Sequence, residues 1–459
     1  MTEQYDAIII GSGIGGVAIG ALLAHAGQRV LILERLKEVG GRCTSYEQKG
    51  FTLDLGTHLF GVGNNGHLGE VFRQLDTPDA LEWITITNAT MQIGDKVMPY
   101  SMKTMMDVLP EGESENIQNI FKAALEMPDQ ELEGLWYVPL DEWAGRFTKH
   151  PLGLTLIESI STQYFGVNMA ETSTGEFIQC FQEVVKSRSS AYPKGGCIAI
   201  PKAFIDIFKK HGGELITKAK VEKITVENGA AKGVKVKEGS SYFAPVIISG
   251  ADIKHTVADL VGEEHFPAEY AQRIEELTWS SSVLSLKVAL NEKITDDQLV
   301  MYMPTDFYPV LKVPQEMKAD DVPELVGGMI VSPSNYDPDL APPGHQLISF
   351  CTACPPHHDW KKWEEALLDS FYAIYPQAKG KVLWHRLDTP EFINSIAMED
   401  GTCVGVGQTV DQIHERRPSV VSPLKGLYFS SAEVSGHGIG TELAANAAQE
   451  LLAVLVPDK

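Results

Sequence analysis

The run Gly11-Ser12-Gly13-Ile14-Gly15-Gly16 restricts the fold of this chain more than any other, because its neighbours complete it on both sides. Ala7, Ile8, Ile9 and Ile10 form an apolar run too short for a helix, as suits a strand buried on both faces of a parallel sheet. Gly11, Gly13 and Gly16 follow at G-x-G-x-x-G spacing, giving a tight turn, room for backbone to approach a pyrophosphate, and close packing of helix on strand. A helix is predicted over residues 14–26, stopped by Gly27, so that the amides of Ile14, Gly15 and Gly16 and the helix dipole point at the diphosphate. The next strand, residues 29–33, ends at Glu34, roughly 20 residues past the turn, where a carboxylate can take a ribose hydroxyl pair. Gly61, Gly63 and Gly66 repeat the spacing with no buried strand before them and no strand-end acid after, and read as a loop leading into a helix near His67.

Beyond Glu34 come Arg35, Val39, Gly40, Gly41 and Arg42, then Gly50, Phe51, Asp54, Leu55, Gly56, Thr57 and His58. A second glycine pair lets the chain run along a diphosphate, and Arg42 offers it a planar, permanently charged fork. These residues resemble the flavoproteins of the phytoene desaturase, amine oxidase and protoporphyrinogen oxidase superfamily, as do Tyr192, Pro193, Lys194, Gly195 and Gly196. So does the last third: Thr389, Pro390 and Glu391, Gly405, Gly407 and Gln408, Arg417 and Pro418, a strand at 426–430, then Glu433, Gly436, His437, Gly438, Ile439, Gly440 and Thr441 opening a terminal helix. The resemblance implies FAD held non-covalently. It implies that Val221 holds adenine through its backbone, that Glu433 binds the ribityl chain, and that Gly438, Ile439 and Gly440 meet the flavin's pyrimidine edge. Relatives usually carry Gly-Asp or Gly-Ala after the closing strand, where this chain has Ser430, Ser431, Ala432 and Glu433.

With 459 residues there is room for two cores, or for one core with a large insertion. The net charge of -23 disfavours nucleic acid and anionic membrane as electrostatic partners. Residues 7–28 carry no formal charge and could pass for a span or signal peptide, but the glycine spacing and the acidic Glu3 and Asp6 argue against that, so a cytoplasmic protein is expected. Cys351 and Cys354 form a C-x-x-C followed by His357 and His358, but no second pair closes a shell, so no metal is expected.

Residues 68–185 read mainly as helices, with a strand pair around 83–93 and 97–100 and Ser114 as a helix cap. From Tyr192 the pattern returns to α/β, with a helix near Pro201 and a hairpin signal at Asn228-Gly229. Strands over 281–290, 299–303, 326–331 and 346–352 and a helix over 360–375 form a further region. The expected fold is α/β: a Rossmann-type FAD-binding domain, glutathione reductase-like, with an inserted mixed helix and β-sheet substrate domain. The cofactor domain is expected to be discontinuous (1–72, 190–278 and 400–459), with 73–189 and 279–399 forming the substrate domain.

Resemblance to phytoene desaturases and carotenoid isomerases implies hydride exchange at flavin N5 with an apolar, isoprenoid or polyene-like substrate, as desaturation, saturation or isomerisation. An amine oxidase or protoporphyrinogen-type oxidase using oxygen is the alternative. His58 and His437, near the flavin in relatives, are the candidates for acid-base chemistry, with Tyr164 and Tyr192 behind them. No second dinucleotide fingerprint follows a buried strand, so electrons must pass to or from oxygen, a quinone, a protein carrier or a visiting nicotinamide. An apolar substrate leaves peripheral docking on a bilayer open, and nothing in the sequence sets the oligomeric state.

Overall fold

The computed structural model describes residues 5–56, 59–304, 322–355, 359–434 and 436–457. Ala7–Ile10, with all four residues buried, is the central strand of a five-stranded parallel sheet ordered Leu427–Phe429, Val246–Ser249, Ala7–Ile10, Val30–Leu33, Glu214–Ile216. The strands come from three distant parts of the chain, and the glycine turn leaves the carboxyl end of the central one. That is the crevice where open α/β sheets bind ligands. The helix Ile14–His25 packs between the terminal helix Thr441–Leu455 and the helix Ala199–Lys210. It is apolar nearly all round because it has neighbours nearly all round. A three-stranded antiparallel sheet, Val221–Glu227, Ala230–Val236 and Ser241–Phe243, stands beside it. Asn228 and Gly229 both take positive φ at its first turn, as a tight hairpin requires.

A seven-stranded mixed sheet runs Val382–Asp388, Ser282–Leu290, Gln346–Cys354, Gly328–Val331, Leu299–Met303, Ala89–Ile93, Lys96–Pro99. Its only parallel pair among the described residues, Leu299–Met303 with Ala89–Ile93, joins two segments separated by some 200 residues of chain. The helix Trp360–Ile374 covers one face with Trp363, Leu367 and Phe371, which recur at helical spacing and share a core with Leu284, Leu286 and Phe350.

Several local expectations differ. The apolar stretch 83–93 divides: Trp83–Thr85 pairs with Ala191–Pro193, while Ala89–Ile93 joins the large sheet. Ser114 is not a cap; it lies inside the helix Glu113–Glu126, whose cap position is Gly112, and its hydroxyl donates to the Met106 carbonyl. The edge strand Val382–Asp388 had no clear signal, since its polar residues His385, Arg386 and Asp388 do not alternate and Leu383 is exposed on the border. Among the described residues no helix is long and apolar enough to cross a membrane.

Candidate functional site

One cavity of about 850 Å³ runs from the end of the second parallel strand, past the glycine turn, to the start of the terminal helix. Gly11 has φ +90, which makes the turn, and a Cβ at Gly16 would strike the Gly11 carbonyl. A Cβ at Gly15 would strike the carbonyl of Ser430, just past the edge strand Leu427–Phe429. Gly13 is different: a Cβ there would meet nothing within 4 Å, so the turn presents bare backbone to open space. Gly40 bonds back to Ser12 (N to O, 2.9 Å), and Gly41, at φ +58, lies against Gly13. Two glycine-built backbone stretches thus wall the same gap, as a diphosphate requires.

Glu34 is buried at the strand end. Its Oε2 accepts from the amide (2.9 Å) and hydroxyl (2.6 Å) of Ser12, and Oε1 accepts from the Leu36 amide (2.7 Å). The carboxylate therefore fixes the glycine turn as well as lining the cavity. Arg35 also lines it, donating to the Ser395 (3.0 Å) and Ile396 (2.7 Å) carbonyls. Val221 lines it at the start of its strand.

Arg42 reaches from the second glycine pair to Glu399, a buried carboxylate that the sequence reading missed. Met398, Glu399 and Asp400 all have positive φ (67, 59 and 53), a run that is uncommon for non-glycine residues and concentrates at functional sites. This turn aims Glu399 at Arg42. Burial, with Asp252 nearby, pushes the Glu399 carboxyl up to about 7 against the downward pull of Arg42. Glu433 lies deeper, fully buried. Its Oε2 accepts from the Ile253 amide (2.9 Å) while Oε1 has no partner among the described residues, and burial among Glu399 and Asp252 raises it well above the usual carboxylate range. Ser430, Ser431 and Ala432, just before it, form the cavity wall.

At the far end, Gly440 caps the terminal helix, and Gly438, Ile439, Gly440 and Thr441 line the cavity. His437 points the other way, into the inserted helix Thr174–Ser187: Nδ1 lies 2.8 Å from Glu176 Oε2 and Nε2 lies 3.0 Å from Glu183 Oε1. Ionised carboxylates only accept, so both ring nitrogens carry protons. Burial pulls the imidazole down, but the two glutamates outweigh it and raise it to about 10. Glu176 Oε1 in turn accepts from the Gly438 amide (3.2 Å), Gln408 Nε2 (2.8 Å) and Cys180 Sγ (3.5 Å). One ligand atom each from Glu176, Cys180 and His437 lie within 4.8 Å of one another, a donor set some divalent ions accept. Here the imidazolium protons already bridge the acids. Ser173, whose hydroxyl accepts from the Glu176 amide, caps the start of the helix Thr174–Ser187.

Tyr164 lines the cavity, whereas Tyr192 is buried outside it, donating to Asp54 and stacking on Tyr336. Gly56 lines it, and Thr57 and His58 lie outside the described residues. So do His357 and His358; Cys351 and Cys354 sit on one strand.

A parallel sheet ending in this glycine turn, with a carboxylate at the next strand end and a helix N-terminus at the far end of the gap, defines a Rossmann-type cofactor-binding fold. The model of the flavin containing amine oxidoreductases matches residues 14–450, and the chain belongs to that family. It is similar to prolycopene isomerase 1, chloroplastic, of an Oncidium hybrid cultivar (25% identity over 93% of this chain and 79% of that one). It is also similar to the all-trans-retinol 13,14-reductase of Macaca fascicularis (24% identity, 95% and 83%). Among solved structures, an oxidoreductase from Methanosarcina mazei superposes with a TM-score of 0.78 at 20% identity, covering 98% of this chain and 100% of that one, and shares its fold. The protein is a flavin-dependent oxidoreductase.

Proposed function

We propose that the flavin is FAD, bound non-covalently, and that the enzyme rearranges, saturates or desaturates carbon-carbon double bonds of an apolar polyene or isoprenoid. The observation that supports this best is the single cavity. Its near end is built from Glu34, the glycine turn and Arg42, and its far end is walled by apolar groups such as Leu59, Phe60, Val62, Tyr164 and Met329. Two relatives act on polyenes by name, one on prolycopene and one on all-trans-retinol.

In this reading Glu34 holds the adenosine ribose, Val221 the adenine, Gly13, Gly41 and Arg42 the diphosphate, and the amides of Gly438, Ile439 and Gly440 the pyrimidine edge. Glu433 is fully buried and does not line the cavity, so the ribityl chain lies along Ser430, Ser431 and Ala432 instead of meeting the Glu433 carboxyl. Bound flavin supplies hydride exchange at N5. The chain's own residues orient the substrate and exclude water around it, and His437 positions the closing loop. We assign residues 1–72, 190–278 and 400–459 to the cofactor domain and 73–189 and 279–399 to the substrate domain. Anaerobic incubation of the photoreduced protein with a cis-lycopene or all-trans-retinol, followed by chromatography, tests the reading. Isomerised or saturated polyene is expected. Unchanged polyenes together with fast reoxidation by oxygen would replace it with the oxidase alternative.

A further inference from the structure

We propose that Glu183 is the polar anchor of the substrate end of the cavity, and that the substrate therefore carries a hydroxyl group rather than being a pure hydrocarbon. This rests on the polyene reading above and narrows it. The helix Thr174–Ser187 places Glu176, Cys180 and Glu183 at i, i+4 and i+7, on one face turned toward the closing loop. The two acids on that face differ. Glu176 is buried, and its two oxygens accept four bonds from His437, Gly438, Gln408 and Cys180. Glu183 lines the cavity with its side chain 42% exposed. Its Oε1 accepts from His437 Nε2, and Oε2 has no partner among the described residues.

Two acidic side chains thus surround one basic one, and of the two acids Glu183 is the one that stands open to solvent at the cavity. The other groups facing it are His67, close to the His437 ring, and Glu442, buried at the start of the terminal helix. Neither adds a positive charge that would quench Glu183: burial lowers the His67 imidazole and raises the Glu442 carboxyl to about 7. A carboxylate oxygen only accepts. A hydrocarbon end pressed against it would cost desolvation with no return, whereas an O–H donor forms a charge-assisted bond, roughly twice as strong as a neutral one. His437 Nε2 holds Glu183 by its Oε1, so the anchor is fixed before substrate arrives.

The test is binding to the flavin-loaded protein, read by quenching of tryptophan fluorescence, with all-trans-retinol and its O-methyl ether as probes. The alcohol is expected to bind about tenfold more tightly than the ether. In Glu183→Gln, which can still accept from His437, the two should bind within about twofold of each other. Glu183→Asp should keep the preference, and flavin content in each variant reports that the closing loop is in place. Equal binding of alcohol and ether to the wild type, or a preference that survives Glu183→Gln, overturns the anchor. If neither probe binds flavin-loaded protein, the polyene reading itself falls and takes the anchor with it.

Discussion

His437 Nδ1 lies 2.8 Å from Glu176 Oε2, and this contact ties the loop before the terminal helix to a residue 261 positions earlier in the chain. Because the imidazole is raised to about 10, its ion pair contributes fully below the ordinary histidine value of about 6.5 and is lost as pH rises through about 10. Replacing His437 with Gln leaves the buried Glu176 without its cation, at a cost of roughly 3–5 kcal/mol. Thermal denaturation of the two proteins should show the largest gap at pH 6 and a shrinking one toward pH 10.5. A gap independent of pH would show that the charge of His437 is not what stabilises the loop.

Gly13 and Gly16 should separate binding from folding. Gly13→Ala adds a methyl to open cavity, so melting of the flavin-free protein should stay within about 1 kcal/mol of wild type while flavin content collapses. Gly16→Ala drives its methyl into the Gly11 carbonyl and should destabilise the apoprotein as well. If Gly13→Ala retained a full flavin complement, the turn would not be the diphosphate site.

Glu34→Ala removes the acceptor of three donors from Ser12 and Leu36, so the turn loosens even before a ribose is lost. Leaving buried donors unpaired costs roughly 1–3 kcal/mol each. FAD affinity measured by titration of the apoprotein should fall at least tenfold, and unchanged affinity would remove Glu34 from the site.

The cofactor half was legible because its signals are local: a buried run, glycines at fixed spacing and a strand-end acid are all written within residues 7–34. What escaped depends on contacts distant in sequence. Asp400-Gly401 marks a turn in the sequence, but nothing near Glu399 announces that positive φ at Met398, Glu399 and Asp400 will aim its carboxylate at Arg42. Glu176 and Glu183 look like ordinary helix positions until the closing loop packs on them. Ser114 was misread for a related reason: a serine near a helix start fits two hydrogen bonds, and only the position of Met106 decides between them.

Arg42 and Glu399 set the last prediction. With the carboxyl raised to about 7 by burial, Glu399 is mostly neutral at pH 6, and the guanidinium charge is then free to face a diphosphate. Above pH 7 the ionised carboxylate competes for the same fork. A bound diphosphate draws Arg42 away and favours the protonated acid, so binding takes up a proton, and linkage requires affinity to fall as pH rises through 7. A displacement of one pKa unit on binding corresponds to about tenfold in affinity across that range. Calorimetric titration of the apoprotein with FAD at pH 6 and 8.5 should show this loss. Glu399→Gln should bind with the low-pH affinity at both values. A wild-type affinity that is flat with pH would mean that Arg42 stays with Glu399 when the cofactor is bound, and that the diphosphate is held by the glycine amides alone.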